Sequence, residues 1–150
     1  MPISDEEVAL FKENLPFKLT NAQERTIKEI SDDISLTKPM RRLVQGDVGS
    51  GKTVVAAVSM YISAKNNTQS VLLCPTEVLA EQHFKNFSAW FKNSNVKIEL
   101  LTGKMPVSKR RGIYQDLEDG VIDILIGTHA VFQEKVKMKN LGLVVVDCLL

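Results

Sequence analysis

The chain has little cysteine, no excess of either charge and no long apolar run. Its two cysteines, Cys74 and Cys148, stand in apolar surroundings without the spacing of metal ligands. That usage argues against a disulfide framework and a cysteine metal centre, and it predicts reduced core thiols in a cytoplasmic protein. The net charge is +1, so no overall basic field draws the chain onto nucleic acid, and any such contact must be local.

Hydrophobic segments are too short for a membrane span, which takes roughly 18 apolar residues. Residues 1–7 are acidic and lack the apolar core of a signal peptide, so we expect no secretory leader. The sequence contains no internal repeat and no low-complexity segment. A length of 150 residues with 44% hydrophobic content predicts one soluble domain around one core.

A glycine-rich stretch organises the chain. Residues 46–53 read G-x-x-x-x-G-K-T, between a segment at 41–45 that suits a buried strand and a segment at 54–62 that suits a helix. This context predicts a phosphate-binding loop, whose backbone N–H groups surround nucleotide phosphates at the positive end of a helix dipole. Lys52 would reach the β- and γ-phosphates, and the Thr53 hydroxyl would hold Mg²⁺. The alternative is a turn that matches by chance. The predicted loop residues are Gly46, Asp47, Val48, Gly49, Ser50, Gly51, Lys52 and Thr53.

Strand-like and helix-like segments alternate along the chain. Capping-box spacing opens helices at Ser4 and at Thr20, where Gln23 is the partner. Thr76 is predicted to cap a later helix, and Gly120 to end the last one. The alternation predicts an α/β fold with a parallel sheet covered on both faces. Predicted strands are 41–45, 70–74, 96–101, 122–126 and 141–147, and predicted helices are 4–14, 20–34, 53–65, 77–92 and 106–120.

An aspartate follows the last apolar run. Asp147 comes after residues 141–146 and is the candidate Walker-B ligand for Mg²⁺, the alternative being an aspartate that merely ends a strand. A hydrolase also needs a group that deprotonates the attacking water, commonly a glutamate beside this aspartate. Cys148 stands there instead, and a thiol cannot replace that carboxylate. The residues therefore predict triphosphate binding without predicting hydrolysis.

Several stretches together resemble the first motor domain of superfamily 2 DNA helicases, and among these the RecG-like ATP-dependent DNA helicases, with transcription-repair coupling factors as near relatives. Residues 40–53 match the long form of motif I, M-x-R-L-x-Q-G-D-V-G-S-G-K-T. The other similar stretches are 17–23 (F-x-L-T-x-A-Q), 75–83 (motif Ia), 101–103 and 127–133 (motif Ib). The matches occur in the family's order from residue 17 to residue 147.

The resemblance implies a RecA-like P-loop domain that uses ATP and Mg²⁺ to unwind or remodel branched DNA in recombination and repair. Lys52 and Asp147 would be catalytic, and Thr53 and Asp147 would hold the metal. Phe17 and Gln23 would extend the nucleotide site, with Gln23 reading the adenine edge; its alternative role is the capping box. The DNA backbone would lie against Pro75, Thr76, Glu77, Thr102, Gly103, Thr128 and His129.

The chain departs from the family pattern after Asp147. The family continues D-E-Q-H, whereas this chain ends Cys148-Leu149-Leu150. A second motor domain and an amino-terminal wedge domain are also missing from the pattern. We therefore expect residues 1–16 to form a lead-in helix and residues 17–150 a partial RecA-like domain, truncated after the motif II strand. A gene fragment, a frameshifted frame or a truncated piece of a RecG-like helicase accounts for this pattern.

Two other functions stay open on the sequence. One is a non-catalytic nucleotide- or DNA-binding remnant of a truncated helicase. The other is a small-molecule P-loop kinase, which leaves the stretches at 75–77 and 127–130 without a role. For His83 a core position is favoured over a DNA contact. The basic residues Lys104, Lys109, Arg110 and Arg111 suit a solvated helix face at least as well as a DNA contact.

Overall fold

The structure, a computed structural model, describes residues 5–13, 15, 19–34, 50–92, 94–128 and 137–146. In these residues helices and strands alternate from the third helix to the third strand, as the sequence predicts. The strand predicted at 41–45 lies outside the described residues. The elements are α1 (Asp5–Glu13), α2 (Asn21–Ile34), α3 (Ser50–Lys65), β1 (Gln69–Leu73), α4 (Glu77–Trp90), β2 (Ile98–Leu101), α5 (Val107–Glu118), β3 (Ile124–Gly127) and β4 (Leu141–Val146).

The described strands form a parallel sheet in the order β2-β3-β1-β4. The pairing places Gly127 beside both Leu101 and Leu73, and it places Leu73 beside Val146. Each of these is the last residue of its strand, so the described strands end at one level. The segments that follow β2, β3 and β1 therefore leave the sheet side by side along its carboxyl edge. The predicted parallel sheet is confirmed.

Helices cover both faces of the sheet, which also confirms the prediction. Leu72 of β1 belongs to the core formed with α3 and α4, whereas Val71 and Leu73 belong to the core that contains Ile113 and Leu117 of α5. A strand between two cores needs apolar side chains on both faces. This requirement explains why residues 71–73 of β1 are all apolar and do not alternate with polar residues.

Helix α3 is enclosed along most of its length. Residues 54–63 are all buried, as expected for a helix that is apolar on every side. Phe11 of α1 stacks on Tyr61 of α3 with ring centroids 4.3 Å apart, and Lys12 pairs with Glu24 of α2 at 2.6 Å. The first helix therefore packs on the same core as the sheet. Within the described residues, no helix is long and apolar enough to cross a membrane.

The helix ends at Thr76 and Gly120 follow the predicted caps, whereas Ser4, the predicted cap of the first helix, lies outside the described residues. The Thr76 hydroxyl accepts a hydrogen bond from the Leu79 N–H at 3.2 Å and so caps α4. Helix α3 ends two residues before Asn67, which has a φ of 62°, and α5 ends two residues before Gly120, which has a φ of 77°. Both residues adopt the left-handed conformation that closes helices.

Strand boundaries differ from prediction by one to two residues. β3 covers Ile124–Gly127 and not 122–126, and β1 covers Gln69–Leu73 and not 70–74. The N–H groups of Asp123 and Ile124 both donate to the Lys97 carbonyl, at 2.9 and 3.1 Å. The regular ladder of β3 therefore begins only after this shared acceptor.

Candidate nucleotide and nucleic-acid site

Helix α3 begins inside the predicted phosphate loop. Ser50, Gly51, Lys52 and Thr53 are its first four residues, and none of them is acidic. The first N–H groups of a helix lack intrahelical partners, and the helix dipole gives this end positive character. A helix start of this kind is suited to binding phosphate. The other predicted loop residues, Gly46, Asp47, Val48 and Gly49, lie outside the described residues, so the complete loop stays a prediction.

The segment before α2 forms the predicted capping box. The Thr20 N–H donates to Oε1 of Gln23 at 2.8 Å, and the Gln23 N–H donates to Oγ1 of Thr20 at 3.2 Å. The structural role of Gln23 is thereby confirmed. A carbonyl oxygen has two lone pairs, so this bond leaves the adenine role of Gln23 open as a prediction. Phe17, the other predicted nucleotide contact outside the loop, lies outside the described residues.

The predicted metal ligand Asp147 also lies outside the described residues. The strand that leads to it is described up to Val146 and has the predicted apolar character, with Leu143 fully buried and Val145 3% exposed. β4 ends level with β1. The strand required before a Walker-B aspartate is therefore present, while the role of Asp147 itself stays a prediction.

The predicted DNA-binding segments meet on the carboxyl edge of the sheet. Thr102 and Gly103 follow β2, Thr128 follows β3, and Pro75 and Thr76 follow β1. Because β2, β3 and β1 are neighbours in that order, the segments lie in a row. The Cys74 N–H donates to the carbonyl of Gly127, the last residue of β3, at 2.8 Å and so holds the start of the segment after β1 against β3. His129 lies outside the described residues.

A side chain links two of these segments directly. Oε1 of Glu77, the first residue of α4, accepts a hydrogen bond from the Gly103 N–H at 3.1 Å. Oε2 of the same carboxylate lies 3.7 Å from Nζ of Lys104. Motifs predict both segments but not the contact between them, because residues 26 apart in the chain carry no local signal of it.

Exposure along this edge differs from residue to residue. Pro75, Thr76 and Gly103 are exposed and Thr128 is half-buried. Thr102 is only 5% exposed, so it contributes to the packing below the turn. The Lys104 side chain directly follows Gly103 and is 83% exposed. The edge therefore presents a hydroxyl and an ammonium group, both suited to phosphate oxygens.

Two side chains prove to be parts of the core. His83 is buried and meets Phe87 edge-on with ring centroids 6.4 Å apart, which confirms its core position. Cys74 is 1% exposed, which confirms a core thiol. On α5, Lys109 and Arg111 are exposed and Arg110 is half-buried. Their arrangement fits the solvated face predicted for this helix.

A perturbed carboxyl lies away from this edge. Burial raises the pKa of Asp123 above its ordinary value of 3.8, against the lowering effects of the Lys97 backbone N–H and the Lys65 charge. Asp123 directly precedes β3, at the amino edge of the sheet, and its carboxylate accepts the Lys97 N–H at 2.9 Å. A perturbed pKa often indicates a functional site. The Asp123 carboxylate instead has a structural role, because its bond to the Lys97 N–H joins the start of β3 to the start of β2.

Curated relatives match most of the length of this chain. The chain is 50% identical over 135 residues to the ATP-dependent DNA helicase RecG of Aquifex aeolicus, an alignment that covers 90% of this chain and 17% of the relative. It is 46% identical over 144 residues to the RecG of Bacillus subtilis, covering 96% of this chain and 21% of the relative. The chain thus spans about a fifth of the length of these relatives. The predicted resemblance to RecG-like helicases is confirmed.

Solved structures agree with the predicted RecA-like fold. The structure of RecG bound to a three-way DNA junction matches with a TM-score of 0.84 and 37% identity, over 97% of this chain and 23% of that one. A hypothetical ATP-dependent RNA helicase from Sulfolobus tokodaii matches in fold, with a TM-score of 0.66 at 15% identity, over 96% of this chain and 50% of that one. The model of the DEAD/DEAH box helicase family matches residues 20–147. With the helix start at Ser50 and the edge described above, this match shows that the chain belongs to the DEAD/DEAH box helicase family.

Proposed function

We propose that this chain is the ATP- and DNA-binding part of a DNA helicase motor that unwinds or remodels branched DNA. The observation that carries the proposal is the row of segments after β2, β3 and β1 on one sheet edge, where Thr76, Gly103 and Lys104 are exposed. In open α/β sheets, ligands bind beyond the carboxyl ends of the strands. The similarity to RecG proteins, and to a RecG structure with a three-way DNA junction, supports DNA as the partner.

Mg-ATP binds, in this proposal, at the start of α3. Residues 66–68 reverse the chain between α3 and β1, so we expect the start of α3 to lie toward the edge where β1 ends. The Thr53 hydroxyl and the Asp147 carboxylate offer the hard oxygen donors that Mg²⁺ prefers. Bound there, the ion would neutralise phosphate charge, while Lys52 contacts the β- and γ-phosphates and Phe17 and Gln23 lie against the base.

The DNA backbone lies, in this proposal, along the carboxyl edge. The Thr76 hydroxyl and residues Thr128 and His129 contact phosphates or sugars, the exposed residues Pro75 and Gly103 lie against the sugars, and Lys104 adds a charge. Such contacts position a strand without reading its sequence. This mode suits a motor that moves over any sequence. A second motor domain, a wedge domain and a cytoplasmic location stay predictions.

The proposal concerns binding and not turnover by the 150-residue chain. Cys148 stands where the family resemblance expects the glutamate that activates water, and Cys148 lies outside the described residues. A thiol is a weak hydrogen-bonding group and a poor substitute for that carboxylate. ATP hydrolysis is therefore assigned to the family and is left out of the claim for this chain.

Salt-dependent DNA binding tests the proposed edge. Lys104→Gln removes the exposed ammonium group beside Gly103, and the matched control Lys92→Gln removes an exposed lysine just beyond the other end of α4. Fluorescence anisotropy with a labelled single-stranded oligonucleotide gives the affinity at several salt concentrations. We expect Lys104→Gln to reduce the slope of log K against log salt by about 1 and Lys92→Gln to leave it unchanged. Equal slopes for both variants and the wild type would place the DNA elsewhere.

A further inference from the structure

The Glu77 carboxylate is engaged on both of its oxygens. Oε1 accepts the Gly103 N–H at 3.1 Å, and Oε2 faces Nζ of Lys104 at 3.7 Å. The Glu77 side chain is 28% exposed, whereas its neighbours Thr76 and Val78 are exposed. Glu77 is therefore turned toward the 102–104 turn and not freely into solvent.

The two segments that Glu77 joins differ in how firmly they are held. Helix α4 is anchored by the buried residues Ala80, His83 and Phe87. The 102–104 turn follows β2, which pairs with β3 alone among the described strands. Within the turn, the Met105 N–H donates to the Thr102 carbonyl at a long 3.4 Å. The Glu77 carboxylate thus ties an edge-strand turn to an anchored helix.

This arrangement conflicts with a direct DNA contact by Glu77. A carboxylate repels phosphate, and Glu77 is the negative charge in the first turn of α4. The bond to Oε1 also occupies the Gly103 N–H, so that donor is not left for a phosphate. What the contact leaves available is the Lys104 ammonium group, which is 83% exposed, and the exposed residue Thr76 next to Glu77.

We infer that Glu77 is a positioning residue that holds the Gly103–Lys104 turn against the start of α4, so that Lys104 and Thr76 meet the same DNA backbone. The inference rests on the proposed function and revises the expectation that Glu77 touches DNA. In this arrangement Lys104 contacts phosphate, and the Glu77 oxygen that accepts the Gly103 N–H is the atom that holds the turn in place.

Three variants separate these roles. Glu77→Gln keeps an oxygen that accepts from Gly103 and removes the charge, whereas Glu77→Ala removes both. Glu81→Ala removes an exposed glutamate one turn further along α4 and serves as the control. Hydrogen exchange of the Gly103 amide, followed by NMR in the whole chain, reports the contact without DNA. We expect protection in the wild type, Glu81→Ala and Glu77→Gln, and its loss in Glu77→Ala.

DNA binding by the same variants reports the consequence. Because one hydrogen bond is at stake, we expect Glu77→Ala to weaken binding of a labelled single-stranded oligonucleotide about threefold to tenfold. Glu77→Gln and Glu81→Ala should stay close to the wild type. Tighter binding by both Glu77 variants would instead indicate a carboxylate that repels DNA directly and would overturn the inference, as would unchanged Gly103 protection in Glu77→Ala.

The experiment distinguishes this inference from the proposed function. If the wild type binds the oligonucleotide and Glu77→Ala binds it equally well, the positioning role alone fails. If the wild type, with a protected Gly103 amide, binds no DNA, the proposed function fails and the inference falls with it. If Glu77→Ala does not fold, Glu77→Gln decides the question. Loss of protection at the Gly103 amide in Glu77→Gln would contradict the inference.

Discussion

A buried polar side chain at the amino edge of the sheet bonds to the segments that lead into neighbouring strands, whereas Thr76 and Lys104 at the carboxyl edge are exposed. Gln69 is 3% exposed and donates to the carbonyls of Leu117 and Ile122 at 3.0 and 2.8 Å. Its Oε1 accepts the Asn140 N–H at 2.9 Å. A buried amide with all these bonds stabilises the packing of strand starts. The amino edge is thereby closed, and the carboxyl edge is left for ligands.

Asp123 gives a pH-dependent prediction at this scale. Burial raises its pKa above 3.8 in the folded chain, so the folded state binds this proton more tightly than the unfolded state does. Between 3.8 and the raised value, the folded chain therefore holds more protons, and the free energy of unfolding falls as the pH rises. Asp123→Asn keeps an oxygen for the Lys97 N–H but does not titrate. Urea unfolding of both chains across acidic pH measures the difference.

We expect the stability of the wild type relative to Asp123→Asn to decline as the pH rises through this window and then to become constant. Chemical denaturation at several closely spaced pH values gives the curve. A relative stability that increases with pH would mean that the Lys97 N–H and the Lys65 charge outweigh burial at this site.

Helix ends were the most predictable elements, because their signals are local. Thr20 with Gln23, Thr76 and Gly120 each have a cap chemistry that acts within four residues, and the sequence predicts each of them. The start of β3 is not predictable in this way, because it depends on the carbonyl of Lys97, the residue directly before β2. The Glu77–Gly103 contact was missed for the same reason. Caps can be predicted from residues close in the chain, whereas contacts between distant residues can be identified only once the fold is known.

Two glycines of the α5 region provide a matched test of helix closure. Gly120 has a φ of 77°, and a Cβ there would lie 3.0 Å from Cδ of Lys139. Gly112 lies within α5, and a Cβ there would meet nothing within 4 Å. Because the left-handed conformation is unfavourable for residues with a Cβ, Gly120→Ala should lower the free energy of unfolding by about 1–2 kcal/mol. Urea unfolding measures it.

Gly112→Ala should raise the free energy of unfolding by about 0.5–1 kcal/mol, since alanine loses less freedom in a helix. Opposite signs for the two substitutions are the result that the geometry requires. A stabilised Gly120→Ala would show that Gly120 leaves the left-handed conformation in solution.

At the scale of the whole molecule, the fold class followed from the alternation of segments, but the strand order did not. The order β2-β3-β1-β4 depends on where each crossover places its strand, and no periodicity in the sequence specifies that placement. The order matters because it puts the segments after β2, β3 and β1 in one row. The predicted site residues Thr76, Gly103 and Thr128 could therefore be named from motifs, but their adjacency came from the fold. Gly46 to Gly49 and Asp147 lie outside the described residues and stay predictions.

The central claim is that the helix start at Ser50 belongs to a site for Mg-ATP. Thermal unfolding of the chain with and without Mg-ATP tests it, alongside Lys52→Ala and the exposed-lysine control Lys92→Ala. A ligand at about 100 times its dissociation constant should stabilise the folded chain by about 2.7 kcal/mol. We predict a higher midpoint with Mg-ATP for the wild type and Lys92→Ala and none for Lys52→Ala. A cooperative transition that Mg-ATP leaves unchanged in the wild type, or raises equally in Lys52→Ala, would contradict the account.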